Sequence, residues 1–465
     1  MLIEFKFSNY RSFRDEGCLS MEPMGLSRMK ECLIPYRAAG LLPSVALFGK
    51  NGGGKTNVIR AFWFGVKFIC NAQRTQHETA PIPVQPFLLD DVSQNEPTAF
   101  EFSYMLDNIK YVYGFAATKT AVVKEYLYHS PKGQKAMVFS RNGQDFEFRE
   151  GPDKKKRELI SETVAPNQLY FSVACTMNEK ACMSAMRWFR EQLLFSRDYT
   201  DLSDQLIEHS ENPNMLQAIK HYAIEADLGI QDMKFEVKST ELTTADQLPA
   251  DLPEGIIAAL KQFAKALSDD PNVSERKLQM GEVNVTSFHR GLDKEGQVHL
   301  YGLPLSVESD GTRQLMALAP AIEYVLSCGG VLLVDELENR IHPLLMQLIV
   351  SKFQSPKSNP NHAQLIFTTH NTELLDAGLI RKDQIYFVDK DKTSGSSSLY
   401  SISKFSTTTN ENIRKGYLLG KYGATPELDA DVPGIIQSLV GAIPHTDMTL
   451  SELRDERLGK FEAAN

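Results

Sequence analysis

The sequence predicts an α/β protein: a mixed, largely parallel core sheet with an antiparallel β subdomain and an inserted helical subdomain. Three observations carry this. At 45–56 a short apolar run leads into the glycine-rich pattern GxxxxGKT and then into helix-like residues. Val331–Val334 and Gln364–Thr368 are compact apolar runs, each followed by a polar loop and a helix-like segment, the pattern of strands paired in parallel. Between these halves, 99–150 breaks into short strand-like runs, and 178–270 shows helical spacing.

Taken in order, residues 2–13 alternate apolar and polar and with 17–23 predict a hairpin leading to a strand at 44–48. A helix is expected from Asn57 to about Ala72. The runs 100–104 and 111–115, separated from their neighbours by Asp-Asn, Pro-Lys-Gly and Asn-Gly turn signals, predict an antiparallel sheet. Leu216, Ile219 and Ala223 share one helical face, and 250–270 is expected to close the insert as its last helix. After a turn-rich stretch at 276–298 the α/β pattern returns, with a further strand at 385–388 and a Ser/Gly-rich hairpin turn at 393–398. Leu450, Leu453 and Phe461 in the tail 446–465 fit either a docking helix or a packed terminal one. The expected divisions are 1–175 (N-terminal lobe), 176–275 (helical insert), 276–405 (C-terminal lobe) and 406–465 (helical extension that could dock a partner).

A chain of 465 residues suits two or three joined domains of about 150 residues each. The net charge of −9 argues against a protein that coats nucleic acid over its whole surface, and leaves a local basic cleft open. Cys18, Cys32, Cys70, Cys175, Cys182 and Cys328 show no CxxC spacing, so neither a zinc site nor a disulfide framework is indicated. No signal-peptide core is present and no run approaches the ~18 apolar residues of a membrane span, so a cytoplasmic protein without membrane contact is expected.

The chemistry-bearing residues begin with the phosphate loop. Backbone N–H groups of Gly49, Asn51, Gly52, Gly53, Gly54 and the helix start at Asn57 can wrap phosphates, Lys55 can reach the β/γ-phosphates of ATP, and Thr56 can ligate Mg²⁺. Asp335 and Glu336 stand at the carboxyl end of an apolar strand, where open α/β sheets form nucleotide sites. Asp335 is expected to hold Mg²⁺ through water, and Glu336 to orient or deprotonate the attacking water.

Upstream of that strand, Glu308-Ser-Asp-Gly-Thr-Arg-Gln314 resembles the signature motif of ABC-class ATPases, and Thr369-His370-Asn371 after the next strand resembles their switch histidine. The resemblance implies that Ser309 and Gly311 act in trans on the γ-phosphate bound by another copy, with His370 sensing that phosphate or supporting Glu336. A nucleotide-sandwiched homodimer or higher homo-oligomer follows from it. Asn9-Tyr-Arg-Ser-Phe13 resembles the N-terminal element of the RecF/SMC/OLD branch, where the basic residue, here Arg11, approaches the nucleotide. The glutamine-loop role falls to Gln85 or Gln168, with Gln85 preferred.

Over nearly its whole length the chain is similar to prokaryotic AAA-15/RloA-type ATPases, on these motifs together with 226–230, the Asp-Glu-Leu-Glu-Asn-Arg-Ile-His-Pro block ending at Pro343, and 417–424. That resemblance implies an anti-phage system in which the ATPase works beside a separate effector, a TOPRIM-type nuclease or a toxin. It also places Glu338 and His342 in a loop facing the opposite head, a solvated loop being the equal alternative. Asp389-Lys-Asp391 matches a TOPRIM metal pair superficially, but too little chain follows for a nuclease domain, so a charged hairpin tip is expected. The run 154–157 could touch nucleic acid, but one short charge run is usually a solvated loop, which is the expectation here. A DNA-repair ATPase of the RecF/SMC kind and an ATP-cemented scaffold are the alternatives; the intact Glu336 argues against the scaffold.

Overall fold

Alternation in Leu2–Ser8 (β1) buries Phe5 and Phe7 while Lys6 and Ser8 stay partly exposed, which makes one face of an antiparallel sheet. In the computed structural model, which describes residues 1–25, 28–75, 80–131, 133–196, 212–226, 229–242, 278–376, 378–405 and 411–426, β1 pairs with Gly17–Ser20 (β2) and Thr98–Leu106 (β4). Ile109–Ala117 (β5), Val122–Ser130 (β6), Ala136–Asn142 (β7) and Asp145–Phe148 (β8) extend it to seven strands in the order β2-β1-β4-β5-β6-β7-β8. Its aromatic face packs on the helix Lys55–Thr75, with Phe62 against Phe5 and Phe102. The hairpin and antiparallel sheet expected from 2–23 and 99–150 are both present.

The second sheet is mixed. Ser44–Phe48 (β3), Val331–Val334 (β13), Gln364–Thr368 (β14) and Ile385–Lys390 (β15) are buried along most or all of their length, as strands covered on both faces must be. Their order is β16-β15-β3-β14-β13-β9, parallel throughout except for Ser397–Ser401 (β16). The edge strand β9, Leu193–Ser196, lies in a stretch read from sequence as helical, and it pairs Leu193 with Val331. The phosphate-loop helix starts at Lys55, two residues before the expected Asn57.

The chain divides into two compact units, Met1–Arg197 with Tyr324–Asn465, and Asp198–Glu323. Helical spacing predicts a helical insert at 176–275, and among the described residues there a strand follows the helix. Among its described residues the second unit pairs Ile230–Leu242 (β10), Leu278–Leu292 (β11) and Val298–Pro304 (β12) in one antiparallel sheet beside the helix Pro213–Ala226. The reason is local: in β10, Met233 is buried and Phe235 half-buried while Lys234 and Glu236 are exposed, a period of two that overrides the helical reading. The helix expected at 250–270 and the tail 446–465 lie outside the described residues. No helix among the described residues is long and apolar enough to cross a membrane.

Two of the buried ion pairs among the described residues fasten elements of the first unit. The run 154–157 opens the helix Lys154–Ser161 rather than a solvated loop, and its Arg157 is buried on Glu179 at 2.9 Å. Arg381 pairs with Asp383 at 2.7 Å, donates to the carbonyls of Arg28 and Met29, and so ties the segment before β3 to the turn before β15. Asp383→Ala leaves that guanidinium buried and unpaired, and is expected to cost about 3–5 kcal/mol in urea unfolding; a loss within error would show that the pair does not fasten the turn.

Candidate nucleotide site

The loop after β3 turns where side chains do not fit. A Cβ on Gly49 would stand 2.3 Å from the Val388 carbonyl oxygen, and Gly54, at φ +114°, would bring one 2.6 Å from Ser397 Oγ. The loop is therefore packed between β15, β16 and the helix it starts. Lys55 is 6% exposed. Its ammonium donates to the carbonyls of Gly49 at 2.8 Å and Lys50 at 3.3 Å, and lies 2.9 Å from His370 Nε2. Burial lowers the Lys55 pKa, partly offset by Glu338, Glu336 and Asp335.

Asp335 follows β13, and Thr368 ends the neighbouring β14. Thr56 Oγ1 donates to Asp335 Oδ1 at 3.2 Å and Thr368 Oγ1 donates to the same oxygen at 2.7 Å. The Glu336 N–H donates to Thr368 Oγ1 at 2.7 Å. Glu336 adopts φ +54°, a left-handed backbone that non-glycine residues take at a cost and that clusters at functional sites. Lys55, Thr56, Asp335, Glu336 and His370 thus meet at the carboxyl ends of β3, β13 and β14, the position open α/β sheets use for ligands. Thr368 had no sequence signal; only its register opposite β13 reveals it.

His370 is held by its backbone, whose N–H donates to Glu338. Its pKa is lowered below 6.5, first by burial and then by the Lys55 ammonium. With Lys55 donating to Nε2, the neutral ring carries its proton on Nδ1. An NMR titration of the ring should give a midpoint below 6.5 that rises in Lys55→Met, and stability linked to it should fall as pH drops through 6.5, because the unfolded chain binds that proton more readily. A midpoint that ignores Lys55→Met would refute the contact.

The N-terminal element closes the loop's other side. Asn57 Nδ2 donates to Ser12 Oγ at 2.8 Å, Ser397 Oγ donates to the Gly53 carbonyl at 2.7 Å, and the Ser12 and Ser397 hydroxyls lie 2.9 Å apart. The Arg11 N–H donates to the Gln85 carbonyl at 2.7 Å, so two residues singled out separately are joined through their backbones. Arg11 Nε is buried without a hydrogen-bond partner in the structure. Gln168 instead receives the Ala165 N–H on its side chain at 3.2 Å, and its carbonyl receives Arg141 at 2.6 Å, bonds that commit it to the antiparallel sheet. Asp389 pairs with Lys50 at 3.0 Å, and Asp391 accepts from Thr393 and Ser394 in the hairpin turn. His342 caps the helix Pro343–Gln354 by accepting from Leu344 N–H at 3.2 Å, and Glu338 holds the His370 backbone, so both have partners within their own copy.

The signature residues belong to the second unit. Ser309 stands before the helix Asp310–Cys328 and accepts from Thr312 N–H at 3.1 Å, an N-cap that leaves Gly311 in the first turn. The preceding Glu308 is buried and receives Ser287 Oγ and, at 2.7 Å, His289 Nε2 from β11, which roots the turn in the sheet.

A phosphate loop, an Asp-Glu strand end and a neighbour strand followed by a histidine, all on one mixed sheet, define a P-loop ATPase domain. The chain belongs to the family described as "AAA domain, putative AbiEii toxin, Type IV TA system", whose model matches residues 44–376. Among solved structures it is similar to an Smc head bound to the C-winged helix domain of ScpA (12% identity, 87% of this chain and 99% of that one, TM-score 0.40). It is also similar to an Smc head with an extended coiled coil bound to the C-terminal domain of ScpA, derived from Pyrococcus furiosus (11%, 86% and 96%, 0.35). A third is the recombination mediator RecF with ATP (12%, 86% and 97%, 0.34). No curated protein matches the chain.

Proposed function

We propose that this protein is an ABC-type ATPase that binds and hydrolyses ATP between two copies of itself and acts as sensor and regulator of a separate effector, a nuclease or toxin, in prokaryotic anti-phage defence. The observation that carries the ATPase part is the meeting of Lys55, Thr56, Asp335, Glu336 and His370 across three neighbouring strand ends. The defence setting rests on the AAA-15/RloA resemblance, and the toxin in the family's description supports it.

In this reading the loop N–H groups and Lys55 bind the β/γ-phosphates, and Arg11, whose buried Nε has no hydrogen-bond partner in the structure, approaches the nucleotide. Glu336 takes the proton of the attacking water, and His370, neutral and acceptor-side toward Lys55, marks the γ-phosphate position. Thr56 and Asp335 supply a hydroxyl and a carboxylate already 3.2 Å apart, hard oxygen donors that suit Mg²⁺, which keeps waters and phosphate oxygens as its other ligands. When bound, the ion would neutralise phosphate charge. Ser309 and the N–H groups at the signature helix start reach the nucleotide of a second copy, so ATP binding becomes assembly and hydrolysis becomes release.

Light scattering with and without ATP–Mg²⁺, on the chain alone and co-expressed with its genomic neighbours, tests this. An ATP-dependent rise in mass and a co-purifying effector are expected. A fixed mass with confirmed ATP binding and no partner would overturn the regulator reading.

A further inference from the structure

Thr368 is fully buried at the end of β14, between the two carboxylate residues and the loop that carries His370. Its hydroxyl is used twice, donating to Asp335 Oδ1 at 2.7 Å and accepting the Glu336 N–H at 2.7 Å. Its carbonyl accepts the next N–H, that of Leu337, at 3.1 Å. One residue therefore holds the backbone on both sides of Glu336, the position with φ +54°. A left-handed backbone at a non-glycine residue persists only where its surroundings over-determine it, and here Thr368 supplies two of the bonds that do so. The same hydroxyl shares Asp335 Oδ1 with Thr56, since both donate to that one carboxylate oxygen.

We infer that Thr368 is the positioning residue of ATP hydrolysis: its hydroxyl sets Asp335 as the metal-holding carboxylate and locks the backbone from which Glu336 acts. This rests on the roles proposed above for Asp335 and Glu336. Two residues further on stands His370, whose ring contacts Lys55, so the strand end that positions the carboxylates also carries the residue proposed to read the γ-phosphate. A neighbour that orients a metal ligand commonly matters about 10–100-fold for metal affinity or activity.

The test is Thr368→Val, which keeps shape and removes the hydroxyl, beside Thr368→Ser, which keeps the hydroxyl, and Thr368→Cys should the valine protein fail to fold. ATP affinity is measured with and without Mg²⁺, together with kcat, KM and thermal unfolding, on the full chain. The expected result is a fall in kcat of about 10–100-fold in the valine protein, loss of the Mg²⁺-dependent gain in ATP affinity, unchanged Mg²⁺-free affinity, and rescue by serine. A valine protein with wild-type kcat and the full Mg²⁺ gain would overturn the inference, as would equal loss in the serine protein. Should the wild-type chain show no turnover, the hydrolysis reading fails, and the Mg²⁺-dependent affinity gain in the valine protein alone decides whether Thr368 positions Asp335.

Discussion

Glu336→Gln is expected to cut ATP turnover by about 10²–10⁴-fold, the range for removing a positioned general base, while ATP still binds. The amide keeps the volume of the carboxylate, and the bonds that hold residues 336 and 337 run through their backbone N–H groups to Thr368, so the strand end keeps its form. What is lost is the ability to take a proton. Nucleotide then stays uncleaved, and the ATP-bound assembly should accumulate rather than dissipate. Phosphate release and equilibrium binding of a labelled nucleotide measure the two halves separately. Turnover near the wild-type rate would remove Glu336 from the mechanism.

The second large effect comes from mixing two inactive chains. Ser309→Arg leaves the phosphate loop intact but replaces the small N-cap that accepts the Thr312 N–H and contacts its hydroxyl by a long cation, so head closure should fail. Lys55→Ala removes the ammonium that lies between the loop carbonyls and His370, so that chain should not hold ATP. Each protein alone should be inactive. If signature and loop meet in trans, a mixed pair contains one composite site built from the wild-type loop of one copy and the wild-type signature of the other. Random pairing then returns about one quarter of wild-type turnover, by the two-fold symmetry of such an interface. A mixture as inactive as its components would show that Ser309 does not serve a neighbour's nucleotide.

Much of the site could be read in the sequence because its parts are local: the GxxxxGKT loop with strand before and helix after, and carboxylates or a histidine directly after apolar runs. Thr368 could not be read this way, since a threonine at a strand end is unremarked until the register places it opposite Asp335. Where Gln85 and Gln168 lie is likewise a tertiary matter: the Gln85 carbonyl meets the Arg11 backbone, and the Gln168 carbonyl meets Arg141. In the fold, β9 escaped because a four-residue strand after a long helix has no period of its own. In the second unit the helical spacing at 216–223 ends only a few residues before β10 begins to alternate, so helix and strand adjoin with little between them to mark the change.

The place of β3 in its sheet bears on how the protein is made. Its neighbours are β14 and β15, so Ser44 waits for Leu365 and Ala46 for Ile385. At about 5–20 residues per second, a nascent chain carries the phosphate-loop strand for tens of seconds before either partner leaves the ribosome. Contacts of such long sequence separation form slowly and late. The antiparallel sheet closes earlier, from β1 to β8, so the first half can shelter its aromatic face while the nucleotide pocket stays unmade. A chain cut short before β15 therefore carries the phosphate-loop sequence without the strand whose Val388 carbonyl packs against Gly49.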